Sequence, residues 1–533
     1  MEISDIAAMP PGAAPKLHDT STLAALYLRA LRRFPSRVAL VDEYESVTYA
    51  ELERRAAAYA SLLMRSGLRR GDALAQLTTN RADAVAVMLA AFAMGVRYTP
   101  LHPRGSLPDH AAVLEDAAID ALVVDELGFP NAVEALAAGA ASPCRLFSFD
   151  GAPHCVPLRN ELRSASGRSL EIQAGAQDIA AIFFTGGTTG RAKGVIHRQR
   201  SLVANTLIEL AEFEWPREIR FLAVTPISHA AFAFILPVLL RGGTLVLRNG
   251  FSPQHFLDDV GRHSITATFL VPTMLNVLLD SPELRRSATA SLEMVVYGAS
   301  PMAPSRLSAA LEAFGPVFVQ LYGQTEAPNV ITVLRKADHD PDRPDRLASC
   351  GVPVTGLDVR LLDPDGVEVG PGETGEICVR GPLVMEGYWN RPEETAAALQ
   401  DGWLHTGDMA RADSEGYLTI VDRKKDLIIS GGFNVFPREV ENVLAAHAAV
   451  AQVAVIGVPD PRWGEAVKAL VVRRDGASVS EGELIEWVKH AKGSLLAPKS
   501  VEFVAAIPLT AVGKPDKKQL RASYWAGRDR QVN

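Results

Sequence analysis

The stretch AAIFFTGGTTGRAKGV (180–195) runs from an apolar, strand-like segment straight into a turn built of Gly, Thr and one Lys. Glycines let the backbone approach an anion closely and aim its N–H groups at phosphate oxygens. Threonine hydroxyls donate further hydrogen bonds, and the ammonium of Lys193 neutralises charge. A Walker-type loop is excluded by spacing, since that motif places Gly-Lys-Ser/Thr after four intervening residues, whereas Lys193 follows Ala192 and precedes Gly194. Taken alone, the segment reads equally well as a flexible surface loop.

On both sides of it, helical and strand patterns alternate. Leu23 to Phe34 is helix-like, Val38 to Asp42 strand-like, and Tyr49 to Leu68 has the helical spacing of Ala and Leu. Asp72 to Thr78 reads as a strand and is followed by a helix through Met94. The rhythm returns at Leu202 to Phe213, Phe221 to Thr225, Phe232 to Leu240 and Thr244 to Leu247. Such alternation predicts α/β layers around largely parallel sheets. Near Asp422 the character changes. The run VDRKKDLIISGGFN (421–434) is charged, then apolar, then Gly-rich, which suits a domain boundary followed by a hairpin. Beyond it come helix-like PREVENVLAAH, strand-like VAQVAVIGV and KALVVRR, helix-like EGELIEWVKHAK and strand-like VEFVAAI. The expectation is a large domain over 1–421, its first twenty residues frayed, and a small α+β domain over 422–533.

Bulk properties narrow the function. Lys and Arg are spread along a chain of net charge −8, which argues against nucleic-acid or membrane-surface partners. The start of the chain lacks the basic and apolar regions of a secretory signal. The longest apolar stretch, Ala84 to Val96, is far short of the roughly 20 residues a membrane helix needs and reads as a buried core helix. The four cysteines Cys144, Cys155, Cys350 and Cys378 have no metal-ligand spacing and are too few for a disulfide framework, which suggests a reducing cytoplasm.

Further motifs follow in order: TPISH (225–229), YGAS (297–300), YGQTE (322–326), DGWLHTGD (401–408), DRKKDLIISGGFNVFPREVE (422–441) and PLTAVGKPDKKQL (508–520). Together with the phosphate-type loop and SVTYAELERRAAAYA (46–60), they resemble the adenylate-forming superfamily of acyl-CoA synthetases, beetle luciferases and peptide-synthetase adenylation domains. The resemblance implies a large N-terminal domain of layered sheets and helices, with a smaller C-terminal α+β domain rotating about a hinge. It also implies that a carboxylic acid reacts with ATP to give acyl-AMP and pyrophosphate, and that the acyl group then passes to coenzyme A.

The resemblance distributes roles over the residues. Thr185, Gly186, Gly187, Thr188, Thr189, Gly190 and Lys193 would hold the phosphates. Gly298, Ala299 and Ser300 would lie against adenine and the acyl group, being small enough for a flat ring to rest on backbone. Tyr322 offers a face for adenine, flanked by Gly323 and Gln324, and Thr325 and Glu326 supply the hard oxygens Mg²⁺ prefers. Asp408 and Arg423 would take the ribose, with Ile420 beside them, and His229 would gate the carboxylate. Ala230 and Phe234 would line the acyl pocket with Gly298 and Gly323. Lys514 would contact the carboxylate oxygen and α-phosphate, Lys425 would be the hinge, and Gly431 and Gly432 would line the pantetheine channel. In isolation, Lys514 and Arg423 read as solvated charges, Asp408 as a turn aspartate and His229 as a rim residue.

Two positions depart from the family pattern: Gly186 stands where a serine is usual, and Ala192 where a proline is usual. One hydroxyl donor and some stiffness are lost. The rivals are an acyl-AMP ligase loading a carrier protein, a peptide-synthetase adenylation domain and a non-catalytic nucleotide-binding regulator. The paired glycines 431–432 speak against the first, and the acid-free HAAFAFIL (229–236), with no counter-ion for an α-amino group, against the second. Lys514, Glu326 and Asp408 together speak against the third. The expected ligands are a bulky hydrophobic or aromatic acid, ATP, Mg²⁺ and coenzyme A, bound by a monomer or homodimer.

Overall fold

A computed structural model of the chain describes residues 21–139, 144–164, 169–185, 192–423, 426–430, 433–509 and 515–526. Four sheets organise it. A nine-stranded sheet has at its centre the parallel strands Val38–Val41, Thr244–Leu247, Arg220–Ala223, Ala267–Leu270, Met294–Gly298 and Phe318–Gln324. Its margins are antiparallel. An eight-stranded sheet is parallel through Arg97–Pro100, Ala73–Leu77, Ala121–Val124 and Arg145–Ser148. It continues on the other side through the hairpin Ile179–Thr185/Lys193–Arg198. The third sheet is antiparallel and contains Asp358–Leu362, Thr374–Arg380, Trp403–Ala412 and Leu418–Arg423.

The predicted elements are found with small shifts at their ends. The apolar stretch at 84–96 forms the helix Ala82–Met94, buried along its whole length, as a helix apolar on every face must be. The helix expected from Leu202 begins at Gln199 instead. Its start is set by a tertiary contact: the buried Gln199 amide accepts from Leu23 N–H at 3.0 Å and donates to the Phe92 carbonyl at 3.3 Å.

The chain changes sheet between 423 and 428. Leu418–Arg423 pairs with Trp403–Ala412, whereas Ile428–Ser430 forms a hairpin with Phe433–Val435 and joins the fourth sheet. That sheet carries Val450–Asp460, Gly464–Arg473 and the parallel edge strand Ser500–Phe503, with the helices Pro437–Ala445 and Glu481–Lys492 packed on it. The second helix opens with a reciprocal capping box between Ser480 and Glu483. Among the described residues, no helix is long and apolar enough to cross a membrane.

Two buried polar features stand inside the large domain. Arg81, 1% exposed, lies over the Phe149 ring and donates to Asp125 at 2.8 Å, with Asp83 and Asp150 at 3.7 Å. Asp125 in turn accepts from the backbone N–H and hydroxyl of Thr79. Asn80, three residues past the end of the strand Ala73–Leu77, reaches the other sheet. Its amide donates to the carbonyls of Thr225 and Arg248 and accepts from Ile227 N–H, which pins the segment leading to His229.

Removing the Asp125 carboxylate leaves a buried guanidinium with only its two longer partners. Asp125→Ala is therefore expected to destabilise the protein by about 3 kcal/mol, the low end of the range for breaking a buried pair. Urea unfolding measures it, and a change below about 1 kcal/mol contradicts this account. A second prediction concerns Glu209, fully buried, whose carboxyl is pushed up by burial from its ordinary value of 4.5 to about 8. The unfolded chain ionises near 4.5 and the folded one near 8, so this group's contribution is complete below about pH 4.5 and is lost as pH rises to about 8. The stability of Glu209→Gln relative to wild type should accordingly increase between pH 5 and pH 8.5, and a pH-independent difference would refute the assignment.

Candidate active site

Because the central strands of the nine-stranded sheet run parallel, their C-terminal ends lie at one edge, where ligands of open α/β sheets bind. Arg220–Ala223 delivers TPISH there, Met294–Gly298 delivers YGAS, and Phe318–Gln324 delivers YGQTE. Two glycines are required by crowding. A Cβ at Gly298 would stand 2.4 Å from the Leu321 carbonyl oxygen, and one at Gly323 would stand 2.5 Å from the Asn329 backbone. Ala299 adopts φ +65°, a left-handed conformation uncommon outside glycine, which turns the chain sharply at the end of its strand.

Asp408 is buried in the third sheet directly opposite Arg423. Its carboxylate accepts from the Tyr322 hydroxyl at 2.7 Å and pairs with Arg423 Nε at 3.2 Å. The Tyr322 phenol is pushed well above its ordinary value, first by burial and then by the adjacent carboxylate, so it remains a donor. Gln324 Nε2 reaches the Thr406 carbonyl at 3.4 Å, and Ile420 pairs across to Ala410 two residues beyond Asp408. Tyr322, Gln324, Asp408, Ile420 and Arg423 are thus neighbours, although about a hundred residues separate the ends of the set.

A second group surrounds Glu326. The Tyr388 hydroxyl donates to its carboxylate at 2.7 Å, and the Lys193 ammonium lies 5.0 Å from the centre of the Tyr388 ring. Lys193 pairs with Thr185 across the base of the phosphate-type loop. The Thr325 carbonyl accepts from His197 Nε2 at 2.7 Å, and burial pushes that imidazole down to about 4.

His229 is half-buried, its Nδ1 2.9 Å from Ser228 Oγ and its ring edge-on to His102 at 4.5 Å. Burial, and then His102, push His229 down to about 3, while burial pushes His102 to about 4. Both rings are therefore neutral near pH 7. Phe232 follows, in edge contact with Phe183 at 5.2 Å, and Ala230 is half-buried between. Phe234 does not share this environment. It is 1% exposed and stacks on Phe221 and Phe269 in the core, which contradicts the expectation that Phe234 lines the acyl pocket beside Ala230.

Ser300 is half-buried at the turn beside Ala299. Gly186, Gly187, Thr188, Thr189 and Gly190 of the loop, and Lys425, Gly431, Gly432 and Lys514, lie outside the described residues. Several contacts that build the site have no local signal: Asn80 beneath TPISH, His102 against His229, Tyr388 on Glu326 and His197 under Thr325. Each lies more than sixty residues from its partner. At the foot of the small domain, Asp422 accepts from the backbone N–H of Arg438 at 2.9 Å, and Arg411 pairs with Glu439 at 3.3 Å.

This arrangement meets its counterparts among known proteins. Residues 28–389 match the model of the AMP-binding enzyme family, and residues 439–514 that of the AMP-binding enzyme C-terminal domain. The chain is 45% identical over 521 residues to the medium/long-chain-fatty-acid–CoA ligase FadD8 of Mycobacterium tuberculosis, covering 95% of this chain and 91% of that one. It is 39% identical to a feruloyl-CoA synthase of an Amycolatopsis species, over 93% and 98% of the two chains. Its fold matches the amide bond synthetase McbA of Marinactinospora thermotolerans with TM-score 0.87 and 35% identity, over 94% and 100%. On motifs, architecture and extent of similarity alike, the chain belongs to the AMP-binding enzyme family and is an AMP-forming carboxylic acid–CoA ligase.

Proposed function

We propose that the chain activates a bulky hydrophobic or aromatic carboxylic acid at the edge described above, and that CoA is the physiological acceptor. The observation that carries the site assignment is the Tyr322–Asp408–Arg423 cluster. A buried carboxylate with a phenol and a guanidinium on it offers the paired acceptor a ribose diol needs and holds the Tyr322 ring beside it for adenine. The relatives support the class of substrate, being ligases of fatty and feruloyl groups.

In the first half-reaction a carboxylate oxygen attacks the α-phosphorus of ATP and pyrophosphate leaves. In the second, the CoA thiolate attacks the acyl carbon and AMP leaves. Neutral His229 borders the carboxylate without placing a second cation beside Lys193, and Lys514 meets the charge that develops at the α-phosphate. Little bond chemistry falls to side chains, so position and electrostatics provide most of the acceleration. Glu326, an oxygen donor already oriented by Tyr388, and the Thr325 hydroxyl suit Mg²⁺, which when bound neutralises polyphosphate charge. The domain boundary falls near 421, and Lys425 serves as the pivot. That Cys144, Cys155, Cys350 and Cys378 form no disulfide agrees with a cytoplasmic setting.

The central test separates the half-reactions. Lys514→Ala removes a cation facing developing charge and should slow acyl-AMP synthesis by roughly 10²–10³-fold. Transfer from supplied acyl-AMP to CoA should stay near wild type. Lys425→Pro restricts φ at the pivot and should do the reverse. Equal loss in both steps for both variants would reduce these lysines to structural roles.

A further experiment addresses the acceptor. Gly432→Trp should spare ATP–pyrophosphate exchange and block thioester formation, read by mass detection of acyl-AMP and acyl-CoA. Wild-type enzyme that discharges acyl-AMP only onto a carrier protein or an amine, and never onto CoA, would overturn the CoA assignment.

A further inference from the structure

The cysteines carry no metal-ligand spacing along the chain, yet the antiparallel sheet brings one of them into a cluster with that chemistry. Cys378, on the strand Thr374–Arg380, stands directly opposite His405, on Trp403–Ala412. Glu376 lies two residues before Cys378, and alternate residues of a strand share a face. The three side chains converge, with an oxygen, a nitrogen and a sulfur all within 4.8 Å of one another. His405 Nδ1 is 3.4 Å from Cys378 Sγ and 3.3 Å from Glu376 Oε2.

These separations suit a shared cation better than a shared proton. A good N–H···O bond is about 2.7–3.2 Å long, and Nδ1, with one proton or one lone pair, serves only one of two neighbours. In a tetrahedral zinc site, bonds of about 2.0–2.3 Å put the nitrogen about 3.4 Å from a carboxylate oxygen and about 3.5 Å from a thiolate sulfur. Cys378 is fully buried and Glu376 nearly so, the setting in which acidic side chains are paired or hold a metal. The His405 side chain is 22% exposed, which brings the cluster to the edge of solvent.

The cluster also touches the turn that carries Asp408. Glu376 and Cys378 are two residues apart, whereas their partners Met409 and His405 are four apart, so the second strand bulges between them. Within the bulge, Gly407, at φ +72°, donates its N–H to Glu376 Oε1 at 2.9 Å. The next N–H, that of Asp408, donates to the Thr406 hydroxyl at 3.1 Å.

We infer that Glu376, Cys378 and His405 form a site for one thiophilic divalent cation of the zinc class, which clasps the base of the Asp408 turn. Thiolate and imidazole select such an ion over Mg²⁺ and Ca²⁺, which prefer oxygen. On binding, the Cys378 thiol releases its proton to solvent and its sulfur donates an electron pair to the ion. His405 binds through a neutral Nδ1 and Glu376 as the carboxylate. Glu376 then serves both the ion and the Gly407 N–H, so occupancy fixes the turn and favours nucleotide binding. The binding of the ion rests on this geometry alone, and its effect on the nucleotide rests on the ribose role proposed above for Asp408.

The test titrates metal-stripped protein with Co²⁺, which takes the place of zinc and reports sulfur ligation by a thiolate-to-metal charge-transfer band in the near ultraviolet. Wild type should bind one Co²⁺ per chain with that band, lose it to added Zn²⁺ and keep it in excess Mg²⁺. Cys378→Ser should abolish the band. His405→Gln and Glu376→Gln should weaken Co²⁺ binding by at least the roughly 10–100-fold that loss of a supporting partner costs a metal site. Cys144→Ser/Cys155→Ser leaves the cluster intact and should keep the band, a readout independent of whether Cys378→Ser folds. No band in wild type, a band that survives Cys378→Ser or His405→Gln, or one lost from the double variant overturns the site. In ATP–pyrophosphate exchange with saturating Mg²⁺, one equivalent of Zn²⁺ should lower the KM for ATP of wild type by roughly 5-fold, the lower end of ordinary coupling between sites. His405→Gln should show no such response. An unchanged or raised KM in a protein that binds Co²⁺ overturns the coupling to Asp408. Absence of exchange with every acid would instead count against adenylation itself, so the failures are distinguishable.

Discussion

The Asp408 carboxylate, buried between the Tyr322 hydroxyl and the Arg423 guanidinium, is where the nine-stranded sheet, the antiparallel sheet and the approach to the small domain meet. A buried carboxylate is tolerated only when it is paired and hydrogen-bonded, so each partner is constrained by the others. Tyr322 comes from the strand end that carries YGQTE, and Arg423 from the last residue of the antiparallel sheet. One residue earlier, Asp422 accepts from the backbone N–H groups of both Arg423 and Arg438, the latter at the first turn of the small domain's helix Pro437–Ala445. An anion there is favourable for the helix N-terminus as well. Arg423 is thereby linked, through Asp422, to the first turn of the helix Pro437–Ala445.

A consistent electrostatic pattern surrounds this point. The imidazoles His102, His197 and His229 are all driven towards their neutral forms, chiefly by burial, so none adds positive charge at pH 7. Positive charge comes instead from residues next to loops and at the domain junction, namely Lys193 and Arg423. A neutral ring beside a bound carboxylate, the role proposed for His229, would not hold it too firmly in the ground state. Cations placed where charge develops favour the transition state over the bound substrate. The Tyr388–Glu326 hydrogen bond and the Lys193–Tyr388 contact keep one such cation and one oxygen donor in a fixed relation.

Packing at the strand ends follows a different rule. Gly298 and Gly323 are required by close backbone approach, Ala299 turns the chain with a left-handed φ, and the rings of Phe92 and Phe183, from two other elements, meet Phe232 edge to face. Phe234 stands two residues from Phe232 yet stacks in the core on Phe221 and Phe269. On a helix, residues two apart face different sides, so adjacent aromatics in HAAFAFIL belong to different environments.

Much of this protein was determined by sequence alone. Continuous apolar runs of helix and strand length, bounded by the Gly242-Gly243 turn between them, placed the helix Phe232–Leu240 and the strand Thr244–Leu247 with their observed bounds, since both are buried almost throughout. The motifs' resemblance to a known family, rather than the residues in isolation, singled out Tyr322, Glu326, Asp408 and Arg423 as candidates for one site. What only the tertiary structure decided is which of those groups touch, and what lies behind them. The start of a helix at Gln199, the Asn80 clamp beneath TPISH, the His102–His229 contact and the buried Asn205–Glu209 hydrogen bond all depend on side-chain direction or on partners far away in the chain. A local pattern carries the chemistry of a residue and the face it occupies. It carries no information on which distant segment the packing of sheets and helices will bring against that face.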